Sequence, residues 1–305
     1  MVYHEIRIIN GKKQNYLIYN ARKGEKWAKK SRFIGYGNMT KKEVNRLREE
    51  FEKELSAMLE SKNLSKEQIS TVENLKKVYN KKISALNPEE FEKFENTFFT
   101  ELTYNSNAIE GSSLSLAQTD IIINEGLTPE GKTIKEINEA KNHLEAVKFL
   151  KDYKGKLNEL LILRLHAIIL KNISENFAGR YRENPVRIFR SDAEFPEAPL
   201  VPQLVKNLVY WYKENRKKIH LFEMAVAFSM KFVSIHPFVD GNGRVSRLLM
   251  NFILKKNNYP WINLYVKQRA EYLKAVREAN NGEYKPIIKF CLKTLEENLK
   301  SFRIM

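Results

Sequence analysis

A chain of 305 residues with 43% hydrophobic and 11% aromatic content has material for a main domain with one or two accessory pieces, which excludes wholesale disorder. One cysteine, Cys291, excludes an internal disulfide and a multi-cysteine metal site and fits a reducing compartment, the cytoplasm. Lysine and arginine outnumber aspartate and glutamate 53 to 37, a net charge of +16, which favours acidic partners such as nucleotides or nucleic acid; lysines that only solvate helix faces give the same excess.

The opening MVYHEIRIINGKK alternates polar and apolar residues and lacks the basic-then-apolar order of an export signal. Residues 1–38 read as a small antiparallel β-meander: HEIRII, QNYLIYNA and KWAKKSRFIGYG, joined by the turns NGKK and RKGE. The segment holds nine basic residues against Glu5 and Glu25, interleaved with Tyr16, Tyr19, Trp27 and Phe33. Two readings stand. The aromatics form the buried face of a small sheet, or they stack bases while the cations follow a nucleic-acid backbone.

After Gly37 the pattern turns helical, with residues 39–96 expected as a helical linker region and 97–305 as the main domain. Capping boxes mark four starts: Thr40 with Glu43, Ser65 with Gln68, Ser115 with Gln118 and Thr133 with Glu136. Asn87-Pro88 marks a fifth, a capping side chain ahead of a proline at the first helical position. NELLILRLHAIILKN, QLVKNLVYWYKEN and HLFEMAVAFSMKFVS repeat apolar residues at helical spacing. The longest apolar run, LFEMAVAFSMKFVSIHPF, includes Glu223 and Lys231 and reads as a buried core helix rather than a membrane span. Between the helices, RYRENPVRIFRSDAEFPEAPLVP breaks the period with four prolines, which predicts a hairpin or extended flap of functional length.

HPFVDGNGRVSR, residues 236–247, concentrates chemistry in one turn. Pro237 ends the preceding helix at or before His236. Asp240-Gly241-Asn242-Gly243 then forms a tight turn opening a new helix, where backbone N–H groups and the helix dipole favour an anion. Arg244 and Arg247 lie three apart on its first turns and reinforce a phosphate site. Other motifs fail on spacing. An EF-hand begun at Asp240 would need glycine and glutamate where Val245 and Asn251 stand, a dinucleotide fingerprint begun at Gly241 would need glycine at Ser246, and the P-loop ending is missing.

The stretch resembles, at all eight fixed positions, the motif of the Fic (Fido-fold) protein adenylyltransferases, His-x-Phe-x-Asp/Glu-Gly-Asn-Gly-Arg-x-x-Arg. AGRYRENPVRI and RAEYLKAVREANNGEYKPII are similar to the family's flap approach and following helix, so the likeness spans about residues 97 to 295, a domain-sized portion. It implies a mainly α Fido-fold helical core with a β-hairpin flap, preceded here by the small antiparallel meander. It also implies AMP transfer from ATP to a Ser, Thr or Tyr hydroxyl of a target protein, with His236 as general base and Asp240 as the Mg²⁺ ligand. Gly241, Asn242, Gly243, Arg244, Val245, Ser246 and Arg247 would surround the phosphates, with Arg247 on the γ-phosphate. Tyr272 and Asn280 fall near the adenine by the same resemblance, core packing or helix capping being the other reading; Leu273 departs from members with a second tyrosine there. Val186, Arg187, Ile188 and Phe189 would add a strand to the target peptide.

Upstream, Ser106-x-x-x-Glu110-Gly111 resembles the inhibitory motif of one class of these proteins. Its helix, PEEFEKFENTFFTELTYNSNAI, would place Glu110 at a C-terminus, where the dipole repels a carboxylate and a cationic partner is needed; Arg247 is the expected partner. The result would be an idling enzyme. AMP removal, transfer of another phosphate-containing group, and nucleic-acid binding by the N-terminal sheet remain alternative activities. A second copy of the chain is a further candidate partner, and no membrane partner is expected.

Overall fold

The computed structural model describes residues 2–23, 26–57, 61–187 and 194–301. Strands β1 (Val2–Ile9), β2 (Lys12–Lys23) and β3 (Lys26–Tyr36) pair antiparallel in the order β1-β2-β3. Asn10 and Gly11 join the first two at φ of 51° and 73°, both left-handed, the backbone that an Asn-Gly hairpin turn needs. Val2, Leu17 and Tyr19 point to one side and pack on Val44, Leu47 and Phe51 of α1 (Lys41–Ala57), so the meander and α1 form a small core of their own.

The helices that follow are α2 (Lys66–Ile83), α3 (Pro88–Ile109), α4 (Leu116–Asp120), α5 (Ile134–Asp152), α6 (Glu159–Leu170), α7 (Val201–Asn215), α8 (Leu221–Ile235), α9 (Asn242–Lys256), α10 (Arg269–Asn280) and α11 (Lys285–Ser301), with a π turn, Ile121–Glu125, continuing α4. The reciprocal capping bonds expected from sequence form at Thr40/Glu43, Ser65/Gln68, Ser115/Gln118 and Thr133/Glu136. Asn87 makes another with Glu90. Each satisfies two N–H groups that a helix start leaves without intrahelical acceptors.

α8 is mostly apolar because it is central: Phe222, Phe228 and Phe232 are fully buried. α9 packs antiparallel-fashion against it after the 236–241 turn, closed by Ser229 and Ser246, whose hydroxyls lie 2.7 Å apart within the apolar interface. α2 enters this main core through Ile69, Val72 and Leu75, and α3 through Phe98, Phe99 and Leu102. The boundary expected between residues 96 and 97 therefore falls inside one continuous helix. Only α1 of the expected linker groups with the sheet; α2 belongs to the main body, because its apolar stripe has no other surface to cover.

The expected hairpin differs as well. Among the described residues of 180–197 there is no strand, consistent with prolines that withdraw backbone donors; residues 188–193, the middle of that expectation, lie outside the described residues. None of the described helices is long and apolar enough to cross a membrane.

Removing the side chain that starts α3 gives a direct check on this helix. Asn87→Ala should lower the unfolding free energy by about 1 kcal/mol, read as a lower urea midpoint with an unchanged slope.

Candidate active site

α8 ends where Pro237 cannot continue it, and His236 takes the left-handed conformation, φ 49° and ψ 60°, uncommon for a residue with a Cβ. Arg182, itself buried, holds this exit in place. Its backbone N–H donates to Pro237 O at 3.0 Å and its Nε to His236 O at 2.8 Å. Its Nη1 donates to Asn184 O at 3.1 Å and its Nη2 to Pro196 O. The Phe195 ring lies on the imidazole, centroids 4.2 Å apart. Burial first, and the Arg182 charge second, push the His236 pKa down from 6.5 to about 4. The imidazole is thus neutral at neutral pH and able to accept a proton. Nδ1 is buried, so proton exchange falls to Nε2.

The turn after Pro237 is braced from inside. Asn242 folds its side chain back, accepting from Phe238 N–H at 3.0 Å and donating to Phe238 O at 2.8 Å. The Phe238 ring stacks on His166, centroids 3.6 Å apart and planes parallel within 1°. Gly179 N–H donates to His166 Nδ1 at 3.0 Å, which places the ring proton on Nε2, and Nε2 donates to Asp240 O at 3.1 Å. Gly241 sits at φ 76°, where a Cβ would be strained and only 3.4 Å from Ile169. α9 begins directly after it without a side-chain cap. Its first-turn N–H groups, at Asn242, Gly243 and Arg244, therefore keep their donors for an anion.

A carboxylate already faces that helix start. Glu110 is the C-cap of α3, and a Cβ built on Gly243 would collide with its Oε1. The same Oε1 accepts from Arg247 Nη1 at 2.7 Å. Ser106, one turn back on α3, takes the rest of the guanidinium: Oγ accepts from Nε at 3.0 Å and the carbonyl from Nη2 at 2.7 Å. Tyr272 is buried beside it, its hydroxyl pKa raised by burial, with the Arg247 charge acting against that shift. The spacing Ser106-x-x-x-Glu110 brings both residues to one arginine because positions four apart share a helix face. Gly111 follows at φ 104°, the left-handed exit that glycine permits. The end of α3 is tied a second time by Arg269, whose Nε donates to Ile109 O at 2.7 Å.

Arg244 is buried too, with Nη1 3.2 Å from Glu139 and Nη2 3.4 Å from Asp240. Its Nε is buried and has no hydrogen-bond partner among the described residues. Below the two arginines lies His143, held by Thr103 at 3.1 Å and driven to a pKa of about 3 by burial, with both guanidiniums adding to the shift.

Several residues expected to contact nucleotide are turned elsewhere. The Val245 and Ser246 side chains are wholly buried, Val245 N–H is taken by Gly241 O at 3.0 Å, and Ser246 bonds to Ser229, so this part of α9 faces α8. The Asn242 amide is spent on the turn, leaving only its backbone donor. Tyr272 packs in the core against Phe290 and Arg247, which favours the packing reading for it. Asn280 is exposed at the end of α10 and accepts from Ser234 Oγ at 2.7 Å, two residues before His236. Val186 and Arg187 have no regular structure; Ile188 and Phe189 lie outside the described residues. Conversely, Arg182, His166, Phe195 and Glu139 were not singled out from sequence. A lone histidine inside the apolar helix NELLILRLHAIILKN was the one signal for His166.

Residues 156–254 match the Fic/DOC family. The chain is 35% identical over 205 residues to protein adenylyltransferase fic-1 of Caenorhabditis elegans, a match covering 65% of this chain and 40% of that protein. It is 33% identical to protein adenylyltransferase Fic of Nematostella vectensis, over 65% of this chain and 47% of the relative. The chain thus spans less than half the length of these curated relatives. Its fold superposes on a Fic-1 fragment from C. elegans with a TM-score of 0.71 at 27% identity, over 87% of this chain and 78% of that one. A Fic domain containing signaling protein from Bacteroides thetaiotaomicron superposes with a TM-score of 0.69 at 25% identity, over 77% and 97%.

Three histidines held neutral predict an acid-sensitive fold. His143, His166 and His236 have folded pKa values of about 3, 4 and 4 against an ordinary 6.5. Because each lies below its unfolded value, unfolding takes up protons under pH 6.5. Stability should be complete above that pH and fall as pH drops from 6.5 to about 3. Thermal midpoints measured across this window should decline; a flat profile would contradict the assignment.

Proposed function

We propose, on the match of residues 156–254 to the Fic/DOC family, that the chain is a protein adenylyltransferase of that family that moves AMP from ATP to a side-chain hydroxyl of a protein, itself included, and that Glu110 restrains it. The observation that supports this most directly is a neutral imidazole set beside an uncapped helix start. His236 accepts the hydroxyl proton at Nε2 while the alcohol oxygen bonds to the α-phosphorus and the bond to the departing pyrophosphate oxygen breaks. The N–H groups of Gly243 and its neighbours, together with the unpartnered Nε of Arg244, supply fixed donors where phosphate charge gathers. Asp240, with its side chain 54% exposed at the turn, suits Mg²⁺, a cation that draws most of its ligands from water and phosphate; when bound, the ion neutralises phosphate charge. Val186 and Arg187, leading toward Ile188 and Phe189, would offer main-chain groups to an extended target segment.

The restraint rests on competition for the same donors. Glu110 occupies Arg247 and stands against Gly243, so a terminal phosphate bound there must displace a carboxylate of like charge. ATP then binds without its phosphates in the reactive alignment.

Incubating the wild type, Glu110→Gly and Glu110→Gly/His236→Ala with Mg²⁺ and ATP labelled at the α-phosphate tests both parts. Self-labelling should rise in Glu110→Gly by on the order of 5- to 150-fold and fall by roughly 10²- to 10⁴-fold when His236 is also removed. Equal labelling by wild type and Glu110→Gly would remove the restraint, and label passing from the γ-phosphate instead would assign phosphorylation.

Arg269→Ala should release the restraint in part, because it frees the carbonyl next to Glu110. Its effect on labelling should vanish in the Glu110→Gly background, and equal effects in both backgrounds would place Arg269 outside the restraint.

A further inference from the structure

The three-stranded sheet packs one face on α1 and buries Ile18 on the other. On the opposite face Tyr16, Phe33 and Tyr36 form a continuous row of rings: Tyr16 and Phe33 pair across the strands with centroids 5.5 Å apart, and Phe33 meets Tyr36 at 4.8 Å, in both cases edge to face. Phe33 is 42% and Tyr36 66% exposed, so the row is open to water, an unfavourable place for large apolar rings without a partner. Cations border it. The Arg7 guanidinium lies 4.4 Å over the Tyr16 ring, Lys29 is half-exposed beside it, and Lys12 stands opposite Ile9 on the same face. The one acid described there, Glu5, is occupied by Arg7 at 2.6 Å and Lys29 at 3.5 Å.

We propose that this face binds single-stranded nucleic acid, the bases stacking on Tyr16, Phe33 and Tyr36 while Arg7, Lys12 and Lys29 take the phosphates. The charge argues for this occupant: residues 1–38 hold nine lysines and arginines against two glutamates, and a polyanion releases counterions on binding such a surface. The rings argue for a single strand, whose splayed bases offer the faces that a duplex keeps stacked. Glu5 is the internal counter-ion that the phosphate backbone replaces. The site is separate from the nucleotide chemistry at His236, and its test does not depend on that chemistry.

The test uses the whole chain and fluorescence anisotropy with labelled oligothymidylate, labelled oligouridylate and a duplex of matching length. Single strands should bind more tightly than the duplex, with affinity falling linearly as the logarithm of salt rises. Phe33→Ala and Tyr36→Ala should each weaken binding roughly tenfold, and Glu5→Gln should strengthen it. Thermal midpoints equal to wild type confirm that these variants fold, and Lys12→Glu is a second route should a ring variant not fold. Absent binding at low salt, equal affinity for duplex, or affinity indifferent to both ring substitutions overturns the proposal. So does self-association of the chain that Tyr36→Ala abolishes, which assigns the face to a second copy.

Discussion

A guanidinium removed from water must be surrounded by acceptors, and Arg247 is surrounded by the end of another helix. Charge burial of this kind is costly unless hydrogen bonds and an opposite charge offset it. Here Ser106 provides a hydroxyl and a carbonyl, and Glu110 the charge. The position of α3 relative to α9 follows from that requirement. So does the placement of a carboxylate at the start of α9, where the helix dipole that would attract phosphate attracts it instead. Structure and the proposed restraint would thus be one arrangement, since the group that satisfies the arginine is the group that would compete with a phosphate for it.

The second constraint concerns one backbone turn. His236 and Gly241 both adopt left-handed conformations within six residues, and neither would persist without support from outside the turn. Arg182 grips the carbonyls of His236 and Pro237, His166 grips that of Asp240, and Asn242 bridges both backbone groups of Phe238. Two residues distant in sequence, Arg182 and His166, join the neighbouring Asn242 so that one imidazole stays close to one helix start. The same enclosure that fixes the imidazole keeps it neutral, so precision of placement and readiness to accept a proton have a common origin in burial.

What could be read in the sequence was local. Capping side chains lie within four residues of the groups they satisfy, and helix starts at Ser65, Asn87, Ser115 and Thr133 were visible for that reason. The Asn10-Gly11 turn and the buried α8 were visible from turn chemistry and periodicity. The family resemblance at 236–247 pointed to the candidate site, and the resemblance at Ser106 to Gly111 pointed to Glu110 as the partner that Arg247 has. Long-range supports were not legible. Nothing near Arg182 or Glu139 states that 54 residues later a turn, or 105 residues later a guanidinium, will need them. The assignment of Val245 and Ser246 shows the converse limit, because a motif names a stretch of helix whereas only packing decides which side of it meets the ligand. The domain boundary at 96/97 failed for a similar reason: the apolar stripe of α2 was recognisable, but not the surface it would cover.

α3 has 22 residues, so it is a rod of about 33 Å rooted in the body through Phe98, Phe99 and Leu102. Such a rod does not swing away on its own, because lifting it would expose the core. Its last turns are no freer, because Ile109 lies in the same core and Ser106 serves the buried Arg247; what can move at small cost is the Glu110 side chain itself, 40% exposed at the helix end. On the proposed reading, release of the arginine would then need only the rotation of one carboxylate about its side-chain bonds, with the helix backbone left where it is.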